Sequence, residues 1–132
     1  MTFQIELVSP EGVTYSGDAE MVIARTLEGG DVAFQPGHVP FIGVLAIWSL
    51  EVIKSDGSRD TFAVHRGFVQ VSGTKISVLS DVSEASDEID IDRARSALSS
   101  SEQILSLDRD DTEATASLAR AEVRLRVAGA EF

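Results

Sequence analysis

No cysteine occurs anywhere in the chain, which removes disulfide frameworks, thiolate zinc sites and thiol catalysis in one step. Proline is scarce, three residues in 132, and none follows Pro40. Glycine thins out in the same direction: nine of the ten lie before residue 74, and only Gly129 comes later. Basic residues are few, 11 against 22 acids, for a formal net charge of -11. Nucleic-acid binding draws its affinity from Lys and Arg set against phosphates, so this balance argues against DNA or RNA and for basic protein surfaces as partners. No apolar run approaches the roughly 18 residues that a membrane-spanning helix requires. The opening MTFQIEL has neither a basic n-region nor a cleavage site, so a soluble, cytoplasmic chain is expected. Its length suits one domain, or a small domain with an appendage.

What is present follows two grammars. Up to about residue 85 apolar and polar residues alternate, as in Phe3, Ile5 and Leu7 against Thr2, Gln4 and Glu6, and again in Trp48, Leu50 and Val52 around Ser49 and Glu51. A period of two marks half-buried strands. Turn signals punctuate them: SPEG at 9–12, SGD at 16–18, EGGD at 28–31, SDGS at 55–58 and SGTK at 72–75. This spacing predicts an antiparallel β-sandwich over residues 1–85. Asp56-Gly57 is expected to form a type I′ hairpin turn. Pro36 and Pro40 bracket His38 in DVAFQPGHVPFIG, so this segment should be a shaped loop, with Gln35 and Val39 extended, and not a helix or a central strand.

From Asp81 to Asp92 there are six acids and no base. Helical spacing then begins: Ala94, Ala97, Leu98, Ser101, Ile104 and Leu105 fall on one face, and Ala114, Leu118, Ala121, Leu125 and Ala128 form a second stripe. Residues 86–132 therefore read as an α-helical hairpin, which makes the class α+β. Asp110 or Asp111 is suited to cap the second helix, and Glu113 to its first turn. Alanine-rich stripes bury little area per turn, so the hairpin should depend on what it docks against.

The chemistry-bearing residues also have plain readings. Only two histidines exist, His38 and His65, and no nucleophile is arranged with either, so no catalytic residue is expected and His38 reads as a turn and interface residue. The acidic run lacks the glycine and spacing of a calcium loop, so no metal site is expected and its acids suit a helix start. Arg120, Arg124 and Arg126 read either as cations near a helix C-terminus, with Arg126 an i,i+4 partner of Glu122, or as binding residues. Trp48 reads as core or as an interface anchor.

Taken in order, LVSPEGVTYSGDAEMV at 7–22, QPGHVP at 35–40, GFVQV at 67–71, ISVLSD at 76–81 and Ile89-Asp90-Ile91-Asp92-Arg93-Ala94 resemble the epsilon subunit of bacterial F-type ATP synthase along the whole chain. His65-Arg66 stand where the family usually has serine-glycine, Gln70 replaces a common glutamate, and Ala33 stands for a glycine. The resemblance implies a non-catalytic rotor subunit, with its sandwich beside the gamma subunit and in touch with the c-ring through a loop carrying Asp31 and His38. It implies C-terminal helices that restrain ATP hydrolysis at the alpha and beta subunits, and a peripheral place on the cytoplasmic side of the cell membrane. No cofactor is required; regulatory ATP is implied in some members, with Ile89, Asp90 and Ala94 near the base and Glu84, Arg93, Arg120 and Arg124 completing the site. Ser100 stands where a further arginine is usual, so weak ATP binding or none is expected. The other reading is a stand-alone sandwich-and-hairpin module that senses nucleotide and has no affinity for gamma.

Overall fold

The computed structural model describes residues 1–131; Phe132, at the end of the expected hairpin segment, lies outside the described residues. Eight strands come first: β1 (Phe3–Ser9), β2 (Gly12–Ala19), β3 (Met21–Thr26), β4 (Gly30–Phe34), β5 (Phe41–Ile53), β6 (Arg59–Ser72), β7 (Lys75–Ser80) and β8 (Ser83–Ala85). A 3-10 turn at Ser86–Glu88 leads to helices α1 (Ile91–Leu107) and α2 (Thr112–Val127). One hydrogen-bonded path, β2-β1-β7-β6-β5-β3-β4, runs through both layers of the sandwich, and β8 pairs with β6 off this path. Every pairing is antiparallel except β1 with β7, which is parallel.

The long strand β6 belongs to both layers. Its first half pairs with β8 and its second half with β7. Between the halves, Arg66 at φ 66 and Gly67 at φ 140 turn the strand. A Cβ on Gly67 would strike the carbonyl oxygen of Leu79, so only glycine fits this corner. The core is built from the expected alternation: Phe3, Ile5 and Leu7 are buried, as are Leu50 and Val52, together with Phe34, Val69, Ile76 and Val78.

The turns bear out most of the signals, with two differences. SGD at 16–18 breaks nothing; β2 runs through it, as an edge strand that tolerates Gly17 opposite Ile5. The β5–β6 turn is not type I′. Gly57 alone takes positive φ, at 84, and the loop closes through Gly57 N–H to Lys54 O and Lys54 N–H to Ser58 O, each 2.9 Å. Asp56 accepts from Ser58 N–H at 2.9 Å, a local bond that keeps Asp56 out of the left-handed region and favours a type I turn followed by glycine.

Each helix has the cap its sequence suits. Asp90 accepts from Arg93 N–H at 3.1 Å and Asp111 from Ala114 N–H at 2.9 Å. Gly129, at φ 76, ends α2 with Gly129 N–H on Arg126 O and Ala130 N–H on Leu125 O. The helices pack on each other, and α2 is the one that lies chiefly against β5 and β6. Helix α2 is thus covered on two sides. Ala114, Ala121 and Leu125 of the expected stripe are buried, and so are Val123 and Val127, which pack with Ala63 and Ile89. Helix α1 is covered on one side only; Ala94 and Ser101 are buried while Ile104 is exposed, contrary to its place in the expected stripe.

Candidate functional site

The seam between sandwich and hairpin brings several expected residues together. Glu84 on β8 accepts at one carboxylate oxygen, Oε1, from Arg124 Nε of α2 at 2.7 Å and from His65 Nε2 of β6 at 2.8 Å. A carboxylate offers only acceptors, so His65 must carry its proton on Nε2 in the neutral ring. Its Nδ1 is buried without a partner. The hydrogen bond from His65, with Arg124 adding to it, holds the Glu84 carboxyl at about 2 against the opposing effect of burial. Strand pairing fixes this geometry, because Glu84 sits opposite Ala63 in the β6–β8 register, next to His65.

The other residues of the expected nucleotide group lie at the start of α1 and on α2. Ile89 is buried with Val123 and Val127, and Asp90 caps α1. Ala94 is buried in the first turns of α1, and Arg93 is exposed beside it. Arg120 donates to Glu113 at 3.0 Å, while Arg124 donates to Glu84. The two arginines thus start from separate carboxylates.

At the proline loop, His38 N–H donates to Gln35 O at 3.0 Å and Gly37 N–H to Gly73 O at 3.2 Å, which ties the loop to the β6–β7 turn. The His38 ring stands edge-on to Phe34, centroids 5.1 Å apart, and Phe34 in turn packs on Phe41. The loop is therefore braced at both ends. Asp31 is not in it. Asp31 lies on edge strand β4, directly opposite Arg25 of β3, and accepts a forked pair from Arg25 at 2.8 and 3.2 Å that pulls its carboxyl below the ordinary range.

Next to this segment β5, β6 and β7 present an apolar row. Val44 pairs with Phe68 and Phe68 with Leu79, and all three are exposed, with Ile42 beside them. Val44, Phe68 and Leu79 border a shallow depression of about 530 Å³ with Val8 and Pro10.

Sequence reasoning missed two features. The role of His65 had no signal beyond its departure from the family pattern. Arg25 and Arg126, the latter expected to meet Glu122, both stand over the Trp48 ring, 3.6 and 4.4 Å from its centroid. Among the described residues no group of three or more His, Asp or Glu could hold a metal, and no helix is long and apolar enough to cross a membrane.

A β-sandwich with a capped helical hairpin folded on one face, and an open apolar row on its strands, defines a two-part docking module. The family model of the ATP synthase delta/epsilon chain β-sandwich domain matches residues 2–86, and that of the long α-helix domain of the same chain matches residues 87–129. An ATP synthase epsilon chain from Thermobifida fusca is 42% identical over 132 residues, covering 96% of this chain and 92% of the relative. One from Streptomyces griseus is 39% identical over 122 residues, covering 92% and 91%. In fold the chain is similar to one in the mitochondrial ATP synthase of Euglena gracilis, with a TM-score of 0.73 at 21% identity over 97% of this chain and 78% of that one. The chain belongs to the ATP synthase delta/epsilon family, on its epsilon side. Epsilon chains of this family are structural and regulatory subunits of ATP synthase, not catalytic ones.

Proposed function

We propose that the chain couples proton-driven rotation to ATP synthesis from the central stalk. Its sandwich binds a gamma subunit through the Val44–Phe68–Leu79 row, and the segment with Asp31 and His38 meets the polar loops of the c-ring. Its hairpin rests on the sandwich and restrains ATP hydrolysis when it extends toward the alpha and beta subunits. The observation that supports this reading is the apolar row itself, three cross-strand neighbours left between 43% and 54% exposed on a chain of net charge -11. Contiguous apolar surface of this kind marks a protein interface. In this reading the chain is held at the cytoplasmic face of the cell membrane by the complex, and acidic surfaces of the free hairpin seek basic partners.

The hairpin suits a reversible role. Its contact with the sandwich is modest: a small apolar cluster of Ala63, Ile89, Val123 and Val127 with Ile47 and Ala128 beside it, the polar tie at Glu84, and Arg126 over Trp48. A difference of a few kcal/mol between docked and extended states is enough to move such an equilibrium. Regulatory ATP belongs to the same reading, with Ile89, Asp90 and Ala94 at the base and Glu84, Arg93, Arg120 and Arg124 around it. ATP would have to draw Arg124 from Glu84 and Arg120 from Glu113, which favours weak binding.

Capture by purified gamma tests the reading. The chain should bind and Phe68→Glu should not, while keeping its circular dichroism; a chain with no affinity for gamma would be the stand-alone module. A cysteine at Asp31 should crosslink to one in the c-subunit polar loop. Titration calorimetry with ATP settles the ligand: no heat at millimolar ATP leaves the helices as a mechanical brake.

A further inference from the structure

Trp48 is the single tryptophan of the chain. It lies half-buried on β5, beside the stretch where the β3–β5 register shifts between Ile23 and Thr26. Arg25 falls inside that irregular stretch of β3, and its guanidinium stands 3.6 Å from the Trp48 centroid. The guanidinium of Arg126, from the last turn of α2, stands 4.4 Å from the same centroid. One ring thus serves two cations, one from the sandwich and one from the hairpin.

The two cations are not equivalent. Arg25 is neutralised by the forked contact with Asp31, whereas no carboxylate among the described residues pairs with Arg126. An indole attracts each guanidinium through its quadrupole, but two positive groups within about 8 Å of each other also repel. Asp31 sets a compensating negative charge 2.8 Å from Arg25 and so offsets that repulsion. Without it, the full charge of Arg25 would face Arg126, and Arg126 is the one free to leave.

We propose that Trp48 is a shared seat for Arg25 and Arg126, through which the Asp31–Arg25 pair governs how firmly the last turn of α2 stays on the sandwich. A cationic side chain of a neighbouring subunit that engaged Asp31 would free the charge of Arg25 and loosen the hairpin. That consequence rests on the stalk reading above; the coupling itself is a property of the isolated chain.

The test is hydrogen exchange of the amides of Arg124 to Ala128 in the isolated, full-length protein. Asp31→Asn should speed exchange there by about two- to five-fold, the size of one exposed cation–π contact. Exchange in β1 and β7 should not change. Arg126→Gln should do the same, the double variant should go no further than either single one, and Arg25→Gln should cancel the effect of Asp31→Asn. Both single variants should also shift the Trp48 emission. An unchanged last turn in Asp31→Asn, effects that multiply in the double variant, or failure of Arg25→Gln to cancel would each overturn the proposal. Because no partner is used, such a failure leaves the stalk reading to the gamma capture.

Discussion

Arg124 reaches from α2 to Glu84 on β8, Nε to Oε1 at 2.7 Å, so that a strand of three residues anchors the end of the hairpin. The same oxygen accepts from His65. With both donors in place the folded Glu84 titrates at about 2, below the ordinary 4.5. A depressed carboxylate contributes stability that is complete above its unfolded value and is lost as the pH falls through its folded value. Docking of α2 should therefore not depend on Glu84 titration above about pH 5, and should weaken between about 4.5 and 2. Glu84→Gln should bring the weaker state to neutral pH, with a loss of about 1–2 kcal/mol for a charge-assisted bond that is partly screened by solvent. Hydrogen exchange of α2 against pH checks this: a variant as acid-sensitive as the parent would refute it.

Gly67 and Gly57 offer a matched pair. Both take positive φ, but a Cβ on Gly57 meets open space while one on Gly67 strikes Leu79 O. Gly57→Ala should cost about 1 kcal/mol of backbone strain. Gly67→Ala adds a backbone collision at the strand corner and should cost roughly 3 kcal/mol or more. Urea denaturation of the two variants measures the difference; equal midpoints would mean that the corner relaxes freely.

Legibility in the sequence followed the range of the interaction. Phe3, Ile5 and Leu7 were readable because period-two alternation needs only neighbours, and the α2 cap was narrowed to Asp110 or Asp111 because a cap acts within three residues. Val123 and Val127 were assigned to no face, since nothing local says that α2 is covered by β5 and β6 as well as by α1. The Asp56-Gly57 turn was placed correctly and typed wrongly, as Asp56 can either adopt positive φ or bond its own backbone, and the choice depends on strand register. At the seam, Asp90 was legible as one of the acids suited to a helix start, whereas the tie of Glu84 to Arg124 and His65 carried no local signal, and the resemblance named Glu84 and Arg124 only as nucleotide ligands. The Arg25–Trp48–Arg126 cluster joins β3, β5 and α2, and no spacing along the chain announces it.

The sandwich should stand without the hairpin. Its main core is made of strand residues between Phe3 and Val78, with Ala85 packed against it, and none of the helix residues belongs to it. A fragment ending at Ala85 keeps β8 on β6, whereas one ending at Ser83 would cut that strand. Residues 1–85 should therefore fold to a β-protein, less stable than the full chain because Ala63 and His65 lose their cover. An unfolded circular dichroism spectrum would show that the hairpin is part of one cooperative unit.

The last prediction separates stiffness from stability at the proline loop. Pro36 restricts the unfolded chain, so Pro36→Gly should lower stability by only about 1 kcal/mol. The folded loop keeps its other braces, the Gly37 N–H bond to Gly73 O and the edge contact of His38 with Phe34. What it loses is the fixed φ at the first corner, and a looser loop must be ordered anew each time a partner loads it. In an assembled synthase that carries the variant, proton-driven ATP synthesis should fall more than the melting temperature of the isolated chain would suggest. Pairing Pro36→Gly with a destabilising change of equal size in the sandwich core, such as Val69→Ala, makes the comparison fair. Val69 is buried in the sandwich core and takes no part in the loop's Gly37–Gly73 bond or the His38–Phe34 edge contact, so its truncation lowers stability and leaves those braces in place. If both variants reduce coupling equally, the loop transmits no load; if Pro36→Gly alone does so, its stiffness is the functional property.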